Sequence, residues 1–419
     1  MNIRKRITLK LFAQVIAVLL SASTGSGGEL SSARSLALSG SMTALASGVD
    51  AARYNPANLG LQGRSPLQVE LLGIGFNVSN NSFTLDDYNK YTGATLSASD
   101  KAYILGQIPN EGLNLKANAE AAALSVGLGK FVFSVSGVGA VDANLNKDIV
   151  ELMLNGNTFA DSVVVTGSYS DGIAYAQAGL SYGRLLYEQG TRQFSVGATV
   201  KYIRGIGIEE IIKLEGLAST QQTGFQGNGE IIARTATGGS GYGLDLGAAL
   251  KFNHDYTLGA RLENVLGSIK WNKNAEEHGT NFSFDTLTIN NAGDSAIVSN
   301  DYSIKIPSFS TRLPAVMNLG FANTSGKLRW GIDWEQGFNR TAESSTKPRL
   351  SMGIEWLQLG MMPLRLGYAT GGGRGGSFSF GSGVNFSPFY LDLAAVTGTS
   401  ISLYSAKGLK LAISTGMRF

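Results

Sequence analysis

Gly408-Leu-Lys-Leu-Ala-Ile-Ser-Thr-Gly-Met-Arg-Phe419 is the stretch whose reading decides the fold. Leu409, Leu411, Ile413, Thr415, Met417 and Phe419 share one face, and Lys410, Ala412, Ser414, Gly416 and Arg418 share the other. Strict alternation of this kind specifies a strand with one apolar and one polar face. Phe419 stands inside the pattern, whereas the end of a soluble β-domain ordinarily frays into polar residues.

The same alternation recurs through the chain. In 327–337, Leu328, Trp330, Ile332 and Trp334 oppose Arg329, Gly331, Asp333 and Glu335. In 349–357, Leu350, Met352, Ile354 and Trp356 oppose Arg349, Ser351, Gly353 and Glu355. In 241–252, Leu244, Leu246, Ala248, Leu250 and Phe252 oppose Asp245, Gly247, Ala249 and Lys251. A charge on a lipid-facing position costs about 2–4 kcal/mol at mid-bilayer, so the charged face must look into a lumen. Its glycines leave room for a plug or a ligand.

Fourteen such segments are predicted: 66–77, 119–128, 131–141, 173–186, 193–205, 241–252, 256–266, 314–322, 327–337, 349–357, 363–369, 377–386, 389–396 and 408–419. An even count suits a closed bacterial barrel. The connections alternate in length: 78–118, 142–172, 206–240 and 267–313 are long, while 129–130, 187–192, 253–255 and 323–326 are short. Long outside loops and short periplasmic turns produce this pattern, and a soluble sandwich has no reason for it. The fold class read from the sequence is therefore all-β, a transmembrane antiparallel β-barrel of about fourteen strands.

Composition agrees. Glycine is abundant at 55 of 419 residues and charged residues make up only 16%, yet no mature segment carries the ~18 consecutive apolar residues of a membrane helix. The chain has no cysteine, which excludes disulfides, thiol chemistry and an acylated-Cys anchor. Basic residues are scattered, so nucleic acid is not an expected partner. Arg4, Lys5, Arg6 and Lys10 followed by the apolar run 11–20 and Ser21-Ala22-Ser23 read as an export signal over 1–23. The expected divisions are this signal, a plug segment over 24–65 and the barrel over 66–419, placed in the outer membrane among its lipids.

The stretch 32–57 is dominated by small residues and ends at Asn55-Pro56-Ala57. Small side chains let a backbone pack in a confined lumen, and Asn55-Pro56 is a turn that ends a helix and leads toward the first strand. The bland reading is a periplasmic tail. Two outside loops read as helical. One spans 99–109, with Ile104, Leu105 and Ile108 on an apolar stripe; the other spans 147–154, with Ile149 and Leu152. Such helices either capture a hydrophobic ligand or merely cover the plug and pack on each other.

Luminal charges are expected at Arg261, Glu263, Arg329, Asp333, Glu335, Arg349, Glu355, Arg365 and Asp392, along with Lys201, Asp245 and Lys251. Opposite charges on neighbouring strands pair and hold the plug; direct ligand contact is the alternative. Catalysis finds no support, because His254 and His278 are the only histidines and fall in a turn and an outside loop. No cofactor or metal is expected: there is no ligand set for a transition metal, and Asp86-Asp87 alone is no calcium signature. Gly371 to Gly376 reads as a flexible outside hairpin and not a phosphate loop, since no helix or Lys-Ser/Thr follows.

The final strand with Phe419 resembles the closing strand of bacterial outer-membrane barrels, which implies that the insertion machinery is a partner reading that residue. The small-residue run ending in Asn55-Pro56-Ala57 resembles the N-terminal plug of the FadL-like family. Arg261-Leu262-Glu263-Asn264-Val265-Leu266-Gly267 with Trp271 resembles a recurrent strand end of that superfamily, and the 100–109 helix is similar to one in an uncharacterised branch of secreted barrels. The resemblance covers nearly the whole mature chain. It implies passive transport of a hydrophobic small molecule such as a fatty acid or hydrocarbon. The alternative within the same superfamily is a PorV-like barrel that binds secreted proteins or a surface assembly.

Overall fold

The computed structural model describes residues 30–61, 67–156, 162–222, 224–287, 297–342, 344–373 and 375–419. The export signal expected over 1–23 lies outside the described residues, as do 24–29 and 62–66 of the expected plug range.

Fourteen strands make the wall: β1 (Gln68–Asn80), β2 (Leu113–Leu128), β3 (Phe131–Leu145), β4 (Tyr169–Gln189), β5 (Arg192–Gln221), β6 (Gly224–Phe252) and β7 (Tyr256–Glu263), then β8 (Val316–Asn323), β9 (Leu328–Gly337), β10 (Arg349–Trp356), β11 (Leu364–Gly371), β12 (Ser377–Phe386), β13 (Phe389–Gly398) and β14 (Gly408–Arg418). Each pairs antiparallel with the next, and β1 pairs with both β2 and β14, which closes the sheet. The closing seam runs from Gln68 opposite Arg418 to Ser79 opposite Gly408. All fourteen predicted segments coincide with wall strands. Closure removes the exposed edges that an open sheet of this size would present.

The two faces divide as alternation requires. On β10, Leu350, Met352, Ile354 and Trp356 are exposed outward while Ser351 and Glu355 are buried inward; on β6, Leu246 and Leu250 face out while Asp245 and Ala249 face in. An apolar exterior around a polar interior is the inverse of a water-soluble fold, and it marks the outer-membrane barrel. Trp330 and Trp356 stand beside short turns, and Trp330 joins Tyr256 and Phe321 in an aromatic cluster at that rim, the position of an interfacial belt. Trp334 is four residues farther along β9, and Trp271 is fully buried.

Two of the connections predicted as long loops are corrected. Over 206–240 the chain continues β5 and β6 as a ribbon, paired from Gly207 and Thr237 out to Gln221 and Gly224. The pairing shifts between Ile211 and Lys213, so the period-two pattern slips by one residue there and the alternation is lost to a sequence reading. In 267–313, Glu276–Leu287 pairs with β6 and Ile297–Lys305 pairs with Glu276–Leu287, widening the ribbon into a sheet above the membrane. Ser268–Trp271 and Phe309–Arg312 pair with each other and carry the β7 and β8 sector outward. Trp271 there packs with Val138, Tyr175, Ile203 and Ile269 in an apolar core.

Three further helices lie in outside loops: Leu85–Tyr91, Ala98–Gln107 and Lys147–Asn155. Among the described residues, no helix is long and apolar enough to cross a membrane.

Candidate functional site: the plug and the chamber above it

Residues 30–61 run through the barrel interior as α1 (Ala33–Ala37), α2 (Val49–Tyr54) and α3 (Asn58–Leu61), with nearly every side chain buried. The outside-loop helices are then α4 (Leu85–Tyr91), α5 (Ala98–Gln107) and α6 (Lys147–Asn155). Ser32 caps α1 by accepting from the Ser35 N–H. Asn55 terminates α2 in extended backbone, as the Asn-Pro reading required. Instead of leading straight to the first strand, the chain then makes the extra turn α3, held by Asn58 donating to the carbonyls of Thr43 and Ala46.

The plug is tied to the wall by ions. Arg34 donates to both Glu355 oxygens at 2.9 Å, Arg365 donates to Glu355 at 2.8 Å, and Arg365 also reaches Asp392 at 2.6 Å. Arg53 pairs with Glu70 on β1. Asp333 accepts from the Met42 and Thr43 N–H groups at 3.0 and 2.7 Å. Glu120 accepts from the Ser31 hydroxyl at 2.8 Å. Arg349 donates to the Ser39 carbonyl at 2.9 Å. Asn55 bridges plug and wall, donating to Thr43 O and Ala248 O while its own Oδ1 accepts from Ala57 N–H. Charges buried this deeply persist only when paired and hydrogen-bonded.

Glycine makes the close approach. A Cβ added at Gly75 would lie 1.9 Å from Leu30 O, at Gly197 2.3 Å from the Pro56 carbonyl carbon, and at Gly381 2.3 Å from the Ala37 Cβ. The inward glycines noted in the sequence do the same: a Cβ at Gly247, Gly331 or Gly353 would lie 2.2, 2.8 or 2.7 Å from atoms of Asn55, Ser41 or Leu38 in the plug.

Of the sequence-predicted charges, Asp333, Arg349 and Glu355 contact the plug directly, while Arg365 and Asp392 are linked to it through Glu355. Arg261 and Glu263 belong to a separate wall cluster with Lys201 and Asp245: Lys201 lies 2.8 Å from Asp245, and Arg261 3.0 Å from Asp245 and 3.1 Å from Glu263. Asn264 joins them, accepting from Lys201 and donating to Pro314 O. Glu335 accepts from Asn318. Arg329 stands opposite Glu355 in the β9–β10 pairing. The plug-side partners Arg34, Asp50 and Arg53, and the wall carboxylates Glu70 and Glu120, escape a strand-by-strand reading because each sits among small or apolar neighbours.

Above the plug a chamber of about 300 Å³ opens toward the outside. Its described lining brings together Asn77 and Ser79 of β1, Lys116 of β2, Arg349 of β10 and Lys407 and Lys410 at β14. Only Arg349 of these was a sequence candidate. Loop helices stand over the same sector: Asp86 N–H of α4 donates to Tyr404 O, and Lys147 of α6 donates to Ile108 O just after α5. Ile104 and Ile108 are buried, whereas Leu105, Ile149 and Leu152 are half-buried. Packing of α5 on α6 thus accounts for part of the apolar stripe, and the half-buried positions stay in reach of a ligand. Asp86 and Asp87 lie in the first turn of α4, where Asp87 completes a capping box with Thr84, and among the described residues no group of acids or histidines is placed to hold a metal.

The fold has solved counterparts. The toluene transporter TbuX of Ralstonia pickettii superposes with TM-score 0.54 at 14% identity, over 94% of this chain and 98% of that one. The toluene transporter TodX of Pseudomonas putida gives 0.52 at 13% identity over 94% and 99%. A FadL homologue of Pseudomonas aeruginosa gives 0.53 at 13% over 94% and 100%. Such likeness shows a shared barrel architecture. No curated protein sequence matches the chain. Residues 56–237 and 211–394 match the family of unknown function DUF5723, and over this span, most of its length, the chain belongs to that family.

Proposed function

We propose that the chain is a passive outer-membrane channel for a hydrophobic small molecule of the fatty-acid or hydrocarbon kind. The observation that carries this reading is the end-to-end likeness of a plugged barrel to hydrocarbon transporters. The half-buried apolar positions Leu105, Ile149 and Leu152 above the mouth add a capture surface. Burial of each methylene contributes about 0.8 kcal/mol, so capture should strengthen with chain length. The ligand would then pass the plug and leave into the membrane or periplasm. The test is uptake of labelled toluene and labelled fatty acids in a host lacking its own transporters. Uptake above the empty host, reduced by Ile149→Ser with Leu152→Ser, is expected.

A PorV-like role in holding secreted proteins is the second reading, favoured by the sheet formed from β5, β6, Glu276–Leu287 and Ile297–Lys305 above the membrane. Absence of uptake, together with recovery of a secreted protein that is lost when this sheet is trimmed, would decide for it.

A further inference from the structure

We propose that the chamber above the plug is an oxyanion site, taking the phosphate or carboxylate group of a hydrophilic small molecule. It is separate from the apolar stripes of α5 and α6, so it stands or falls apart from hydrocarbon transport.

Three observations converge. The chamber gathers Lys116, Arg349, Lys407 and Lys410 from strands far apart in sequence, and no carboxylate is among its described lining residues. Asp142 pairs with Lys116 at 2.8 Å from outside that lining, and Glu335 stands opposite Arg349 in the β9–β10 pairing. Lys407 and Lys410 flank the mouth of β14 within one cavity wall. Two compact ammonium groups beside a guanidinium concentrate positive potential in a walled space, where charge-assisted hydrogen bonds are stronger than in water.

The second observation is an unmet donor. Asn77 lines the chamber, is only 2% exposed, and its amide Nδ2 has no hydrogen-bond partner among the described residues. Directly across the β1–β2 pairing, Asn118 is equally buried with both amide atoms unpaired. Buried amides are nearly always satisfied, and those left open mark a place where a ligand or water completes the set. An acceptor-rich group is what a donor beside several cations selects.

Third, the lining is poor in apolar side chains: Ala369 and Val396 are the two. Apart from the four cations, asparagine, serine, threonine and glycine fill the rest of the described lining. A phosphorylated or carboxylated solute finds donors on several sides there.

The test is calorimetric titration of the full-length barrel in neutral detergent at low ionic strength, with inorganic phosphate, glucose 6-phosphate, glucose and dodecanol as probes. Phosphate or glucose 6-phosphate should bind and glucose should not, with affinity falling as salt is added. Binding of both anions equally identifies the free oxyanion as sufficient; preference for the ester shows that the attached sugar is also read. Lys407→Gln with Lys410→Gln should weaken anion binding by about tenfold or more. Asn77→Asp, which keeps the shape and adds a negative charge, should abolish it, and Asn77→Leu should weaken it without any charge change. If the lysine variant fails to assemble, the two Asn77 variants carry the test. Anions binding no better than glucose, or binding untouched by these substitutions, would overturn the site. Dodecanol binding without anion binding would leave the hydrocarbon reading standing and remove this one.

Discussion

Glu355 is the residue on which the plug hangs. Its two oxygens take Arg34 from the plug and Arg365 from the neighbouring strand, and all three are buried. Breaking such a pair strands a charge in a low-dielectric interior at a cost of about 3–5 kcal/mol. Glu355→Gln should therefore lower the temperature at which the folded band disappears in heat-modifiability gels. It should also raise single-channel conductance, because Arg34 loses its anchor. A lipid-facing control, Leu350→Val, should do neither, since Leu350 is outward and exposed. Gly197→Val should mimic the anchor loss from the opposite wall, because its Cβ would collide with the Pro56 backbone. Unchanged conductance in both Glu355→Gln and Gly197→Val would show that the plug is held by neither.

At the scale of elements, α4 and α5 are clamped by one carboxylate. Burial opposes ionisation of Asp87, but the Thr84 N–H, the Thr84 hydroxyl and the Tyr103 hydroxyl all donate to it and hold its pKa below the usual carboxylate value. A depressed pKa means that the stabilisation is fully present above the unfolded value and is lost as pH falls through the folded one. Hydrogen-exchange protection of residues 85–107 should be constant near neutrality and decline only below about pH 4; Asp87→Asn should remove that dependence. The outer ribbon is separable from the wall. Replacing residues 210–234 by Asn-Gly joins the paired residues Glu209 and Thr235 through a two-residue turn, and the barrel should remain heat-modifiable. How much of this was legible in the sequence follows from the same elements. The wall strands were readable because lipid on one side and plug on the other enforce period two. The ribbon was not, since both its faces meet water and the shift at Ile211 breaks its phase. The plug's presence was legible in its small residues, but its anchors Arg34 and Arg53 were not, because pairing with Glu355 and Glu70 is set by three-dimensional threading. The chamber was least legible: Asn77, Lys116 and Lys410 are ordinary strand residues until closure brings β14 beside β1.

For the molecule as a whole, plug and tail make opposite demands on cross-linking. Native cysteines are absent, so an introduced pair reports without background. Ser41 and Ser351 have hydroxyls 3.1 Å apart, and Ser41→Cys with Ser351→Cys should form a disulfide in intact cells. Deleting 30–49 should raise conductance sharply, while a periplasmic tail would give neither result. The glycine seam carries a further consequence, for tolerance to mutation. On an empty barrel the interior is the permissive side and the membrane side the restricted one. Here Gly75, Gly197, Gly353 and Gly381 have plug atoms where a side chain would begin, while outward positions such as Leu350 and Leu366 meet only fluid lipid. A saturation scan of this wall should find the lumen intolerant and the lipid face free to exchange one aliphatic residue for another.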